Sequence, residues 1–118
     1  MAFEYGRLAE IGWVAATATV VYANPSSTTS YVRMIILHNT DTVNQTVTLY
    51  NVPDNVGAMG TPAAANTFLT QTLTPGTTLW IPIEIPGLVL TDQNDLIAAD
   101  DGGTGSKVTI QIMGGTET

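Results

Sequence analysis

Four carboxylates, Asp92, Asp95, Asp100 and Asp101, fall within ten positions, and Gly102 and Gly103 follow directly. Hard cations such as calcium take oxygen ligands from loops of this composition, and the glycines would let backbone carbonyls join in. The spacing does not match an EF-hand loop, which also needs a bidentate Glu at its last position. Asp and Gly in tandem are equally ordinary turn chemistry, since Asp bonds its own backbone and Gly supplies positive φ. The expectation is therefore no cofactor, with calcium at these four residues as the one candidate. A glycosidase pair would need a matched acid and base, and nothing in the sequence supplies one. His38 is the sole histidine and ends an apolar run, its side chain following Met34 and Ile36 onto one face. It reads as a structural or interface residue. With no Cys, no Gly-x-Ser-x-Gly elbow, no phosphate-binding Gly loop and no His-x-x-x-His pair, no catalytic residues are assigned and the chain is expected not to be an enzyme.

The aromatic residues point to binding instead. Phe3, Tyr5 and Trp13 cluster near the start, and Trp80 alternates against Leu79, Ile81 and Ile83. Tyr and Trp are favoured anchors at protein interfaces, so these four are the interface candidates. They could equally pack back on their own domain. Trp80 could also serve as a platform for a sugar, although stacking on sugars usually uses several aromatics on one surface and the aromatic content is only 7%.

Composition narrows the partners. Only 11% of the 118 residues are charged, against about 25% in an ordinary soluble protein. The surface must then be built largely from Thr, Ser, Asn and Gln, which are less costly to bury against a neighbour than Lys and Glu. The net charge is −7, and Arg7, Arg33 and Lys107 are the only fixed cations. Three scattered cations cannot neutralise a phosphate backbone or hold an anionic bilayer, so neither nucleic acid nor membrane is an expected partner. The first residues lack the basic-then-apolar order of a secretory signal, and the apolar region 11–23 is too short to span a bilayer.

Positioning these residues falls to strands. Segments rich in Val, Ile, Thr and Tyr alternate with turn clusters, and none has helical apolar spacing. Strands are expected at 15–22, 31–39, 45–50, 67–73, 78–85, 88–90, 96–99 and 107–113. The pair 31–39 and 45–50 is joined by five residues, four of them polar, which suits a hairpin. Pro82 marks an edge strand or bulge, because Pro has no N–H for a ladder. Residues 51–66 form a long surface loop with one helical turn near 63–65, and Pro86-Gly87 makes a turn. The fold class is all-β: a two-sheet antiparallel β-sandwich, jelly-roll-like, with an N-terminal arm at 1–14 and a single sandwich domain at 15–118.

The run Tyr31-Val32-Arg33-Met34-Ile35-Ile36-Leu37-His38-Asn39, followed by Gln45-Thr46-Val47-Thr48-Leu49-Tyr50, resembles small β-sandwich structural proteins of tailed bacteriophage virions. The C-terminal half is similar too, through Ile81-Pro82-Ile83, Gly87-Leu88-Val89-Leu90, Asn94-Asp95-Leu96-Ile97-Ala98-Ala99 and Val108-Thr109-Ile110-Gln111-Ile112-Met113-Gly114. The resemblance implies a capsid decoration (cement) protein on the virion's capsid surface, made in the host cytoplasm. It further implies the major capsid protein and copies of itself, as a homotrimer, for partners, with the arm reaching onto the shell. The alternative is a carbohydrate- or receptor-binding module of a tail fibre or baseplate.

Overall fold

The computed structural model describes residues 3–84 and 88–118, so the expected Pro86-Gly87 turn lies outside the described residues. Among the described residues nine strands form: β1 (Phe3–Trp13), β2 (Thr19–Ala23), β3 (Thr29–Asn39), β4 (Gln45–Val52), β5 (Thr67–Leu73), β6 (Thr78–Pro82), β7 (Leu88–Leu90), β8 (Leu96–Asp100) and β9 (Val108–Glu117). One turn of 3-10 helix, Ala64–Asn66, precedes β5. Among the described residues no helix is long and apolar enough to cross a membrane.

The strands make two antiparallel sheets. Sheet A runs β1-β9-β3-β6, with β7 continuing the β6 edge beside β3, and sheet B runs β2-β8-β4-β5. Taking β6 and β7 as one interrupted strand, this is the order of an eight-stranded jelly roll. Alternation explains the core. Val32, Ile35 and Leu37 of β3 and Val108, Ile110 and Ile112 of β9 meet Val47 and Leu49 of β4 and Ile97 and Ala99 of β8 between the sheets. On its other face, β8 buries Leu96 and Ala98 with Val52. The loop 53–66 folds back there, since Gly60 packs so closely on Val52 that a Cβ would meet its Cγ1 at 2.9 Å.

Two expectations are corrected. The strands at 31–39 and 45–50 do not form a hairpin: β3 lies in sheet A and β4 in sheet B, so residues 40–44 arch between sheets. Both flanks of β3 are already taken, by β9 and by β6 with β7, which leaves β4 to pack face to face through Val47 and Leu49. Nor do residues 3–13 hang as an arm. They are β1, the edge strand of sheet A, paired with β9 from Phe3↔Glu117 to Trp13↔Thr109. Leu8 and Ala9 pack on the core, which anchors the strand that the sequence suggested was free. Pro82 does sit on an edge, as its missing N–H requires.

Candidate interaction surface

The four carboxylates do not converge. Asp92 and Asp95 precede β8 while Asp100 and Asp101 end it, roughly 17 Å apart for five residues of extended chain. Three of them are taken up locally. Asp95 accepts the N–H groups of Asp92 (3.0 Å), Thr91 (3.2 Å) and Asp54 (2.8 Å), which closes one turn and ties down loop 53–66. Asp101 is buried and accepts from the N–H groups of Gly103 (2.8 Å) and Gly105 (3.0 Å). Asp100 accepts from the Tyr50 hydroxyl. Among the described residues no three acidic or histidine side chains gather as metal ligands would. His38 shares a 2.7 Å hydrogen bond between Nδ1 and the Thr78 hydroxyl on the outside of sheet A.

The Tyr50–Asp100 contact has a pH signature. Its hydrogen bond first, then burial and the carboxylate's charge, raise the phenol above its ordinary value near 10. A raised folded pKa means the contribution is full below pH about 10 and is lost as pH rises through the folded value. Urea midpoints measured between pH 9 and 11 are expected to fall more steeply for the wild type than for Tyr50→Phe; parallel curves would mean the contact is absent in solution.

Register assembles a different surface. On the outer face of sheet A, paired residues line up in rows across the strands: Thr78, His38, Thr109 and Trp13; then Trp80, Ile36 and Gln111; then Pro82, Met34, Met113 and Arg7; then Val89, Tyr31, Gly115 and Tyr5. A bulge at Arg33 sets this pattern, because the extra residue turns Met34 outward and leaves Ile35 buried. The outcome is an outer face with Trp80, Ile36, Met34, Met113, Tyr31 and Tyr5 on it. Four strands by about ten residues span roughly 600 Å², polar residues included, and of the large apolar side chains on this face Tyr5, Trp13 and Trp80 are the most exposed. The outer face of sheet B carries Thr46 bonded to Thr72, Thr48, and Tyr50 capped by Asp100, with Val20 and Phe68 exposed on its two edge strands.

The four aromatic candidates are placed unequally. Phe3, 44% exposed, lays its ring over Gly115, edge-on to Tyr5 at 4.9 Å and 5.8 Å from Tyr31. Tyr5, Trp13 and Trp80 are 72%, 56% and 61% exposed. Trp13 and Tyr5 line the β1 edge and Trp80 the opposite edge. The sequence reading missed Ile36, Met34 and Met113 as members of this surface. Their signal was present in the apolar residues on both faces of 34–37, but only the register with β6 and β9 unites them.

No known family's sequence model matches this chain, and no curated protein matches it. A solved structure does: a chain from work on Bacillus endospore appendages, described as forming a novel family of disulfide-linked pili, is similar at 16% identity with a TM-score of 0.51. The match covers 98% of this chain and 88% of that one. At that identity the likeness shows the fold alone.

Proposed function

We propose that this protein is a non-enzymatic structural subunit of a virion, a capsid decoration protein that bridges major capsid protein subunits and gathers as a homotrimer. The observation that carries the reading is the outer face of sheet A, where Trp80 stands exposed on one edge and Tyr5 and Trp13 along the free edge of β1. Burying one such side chain contributes about 1.5–3 kcal/mol, and many copies on one shell multiply the effect. The mechanism is added buried area that lowers the free energy of the filled shell, with no reaction. Because β1 is zipped to β9, the contact is made by the outward side chains of a fixed strand rather than by a reaching arm.

Virions lacking the protein are expected to release DNA at lower temperature than intact ones. Wild-type protein restores the midpoint on add-back, and the double variant Tyr5→Ser, Trp13→Ser does not. An unchanged release temperature without the protein would sink the decoration role, and specific signals on a glycan array would favour a carbohydrate-binding module instead.

A further inference from the structure

Among the described residues, β1 is the longest edge strand, with eleven residues against five in β2, seven in β5 and five in β6. It pairs with β9 on one flank and turns alternate N–H and C=O groups to the other, where they form a template for a further strand. Neither Pro nor Lys blunts this edge, and Ile11 is 63% exposed along it.

A bulge makes the edge selective. Arg7 pairs with Met113 and Ala9 with Ile112, so Leu8 is an extra residue, and Leu8 and Ala9 both pack on the core. Gly12 pairs with Ile110, which leaves Glu10 and Ile11 together opposite Gln111, an outward residue between the buried Ile110 and Ile112. From 7 to 10 the side chains therefore run outward, inward, inward, outward. In a regular strand, residues three apart lie on opposite faces. Here Arg7 and Glu10, both exposed, share the outer face.

Such a bulge defends an edge, because a strand of plain alternation falls out of step with it after Leu8. An antiparallel copy of β1 stays in step. About a two-fold axis between Leu8 and Ala9, the order of faces reads the same in both directions. Arg7 then meets Glu10 and Glu10 meets Arg7 on the outer face, while Leu8 meets Ala9 on the inner one. Other registers fail. An axis at Arg7 sets Arg7 against Arg7 and Glu4 against Glu10, and like charges directly opposed are destabilising. Glu4 cannot replace Glu10 as the partner of Arg7, since 3–7 pair regularly with β9 and place Glu4 and Arg7 on opposite faces.

We infer that β1 pairs antiparallel with β1 of a second copy, Arg7 against Glu10, so that the two A sheets join into one across a two-fold axis. The contact uses the backbone edge, and Tyr5 and Trp13 keep their outward direction on the face assigned to the shell. A two-fold contact is isologous and cannot itself close a trimer, so on a shell it ties one trimer to the next.

Sedimentation velocity of the full chain up to about 100 μM, a range that detects micromolar contacts, tests the pairing. The wild type is expected in even-numbered species, a dimer first. Arg7→Glu and Glu10→Arg change exposed positions, where circular dichroism should show the native fold. Each sets two like pairs across the axis and should weaken dimerisation at least about tenfold. Mixed in equal amounts, the two variants should form a heterodimer, because both of its pairs again join unlike charges. The swap Arg7→Glu, Glu10→Arg within one chain should restore the homodimer. A wild type that is monomeric or only trimeric, single variants that dimerise as the wild type does, or a mixture that stays monomeric would each overturn the pairing. The decoration role is read separately: a release temperature that depends on a protein found to be monomeric removes the β1 pairing and leaves that role standing.

Discussion

Gly114→Ala is expected to destabilise the fold by about 3 kcal/mol and to lower the melting temperature by roughly 10–15 °C. A Cβ at this position would lie 1.9 Å from the Tyr31 carbonyl oxygen, 3.0 Å from its carbon and 3.2 Å from Leu8 Cδ1. The obstacle is backbone, so it cannot swing aside as a side chain would. Nor can β9 back away, because it is bonded to β1 on one flank and to β3 on the other. Gly115→Ala is the informative control. Its Cβ would meet the Phe3 ring at 2.5 Å, and that ring is near the end of an edge strand where it can turn outward. It should cost about 1 kcal/mol and release Phe3 from its place over β9. Urea unfolding with an unchanged slope separates these costs from effects on the denatured state. A Gly114→Ala midpoint within 1 kcal/mol of the wild type would mean that β9 and β3 pair in another register.

The same two glycines show why part of the fold was legible in the sequence and part was not. The alternation of Val108, Ile110 and Ile112 against Thr109, Gln111 and Met113 announces a strand with one buried face, and β9 has it. Alternation says nothing of a strand's continuation through Gly114 and Gly115, where side chains are absent because backbone and Phe3 fill the space. β1 was harder for a related reason. Irregularities between Arg7 and Ala9 and between Ala9 and Gly12 reset its alternation, and the outer face it contributes to is itself apolar. A strand with two register shifts and aromatic residues facing outward reads locally as an arm.

The arch between β3 and β4 was hidden differently. A connection of five mostly polar residues can close a hairpin or cross between two sheets, and the local pattern of the flanking strands is the same for both. The choice is made by distant partners, which only the complete sheet order supplies. For the candidate surface, Trp80's outward direction was readable from Leu79, Ile81 and Ile83, all of which pack on the core. Its neighbours were not, because cross-strand rows depend on register between segments more than 40 residues apart in the chain. The carboxylates show the converse: Asp92 to Asp101 look like a cluster in a count of spacings, yet the strand expected at 96–99 already holds Asp95 and Asp100 apart.

Asn39→Ala is expected to cost about 3 kcal/mol, for reasons that complete the account of that arch. Asn39 is buried at the end of β3, and its amide donates to the carbonyls of Val43 and Leu73 at 3.0 Å each while its oxygen accepts from the Asp41 N–H at 2.9 Å. One side chain therefore holds the 40–44 connection and ties it to the end of β5. Ala removes the side-chain partner of two carbonyls and one N–H, of which the Leu73 carbonyl is bonded in a buried site and the other two in partly buried ones. Asn39→Asp is nearly the same shape and is expected to be worse at neutral pH, since a carboxylate would face two carbonyl oxygens. Those oxygens and burial raise its folded pKa above the unfolded value near 3.9, so this variant should recover stability as pH falls toward 4 and lose it again as pH rises. Alanine has no such dependence. Urea midpoints of the two variants at pH 4 and pH 7 therefore discriminate a hydrogen-bonded arch from a merely well-packed one. Equal responses to pH would remove Asn39 as the residue that directs β4 into the second sheet.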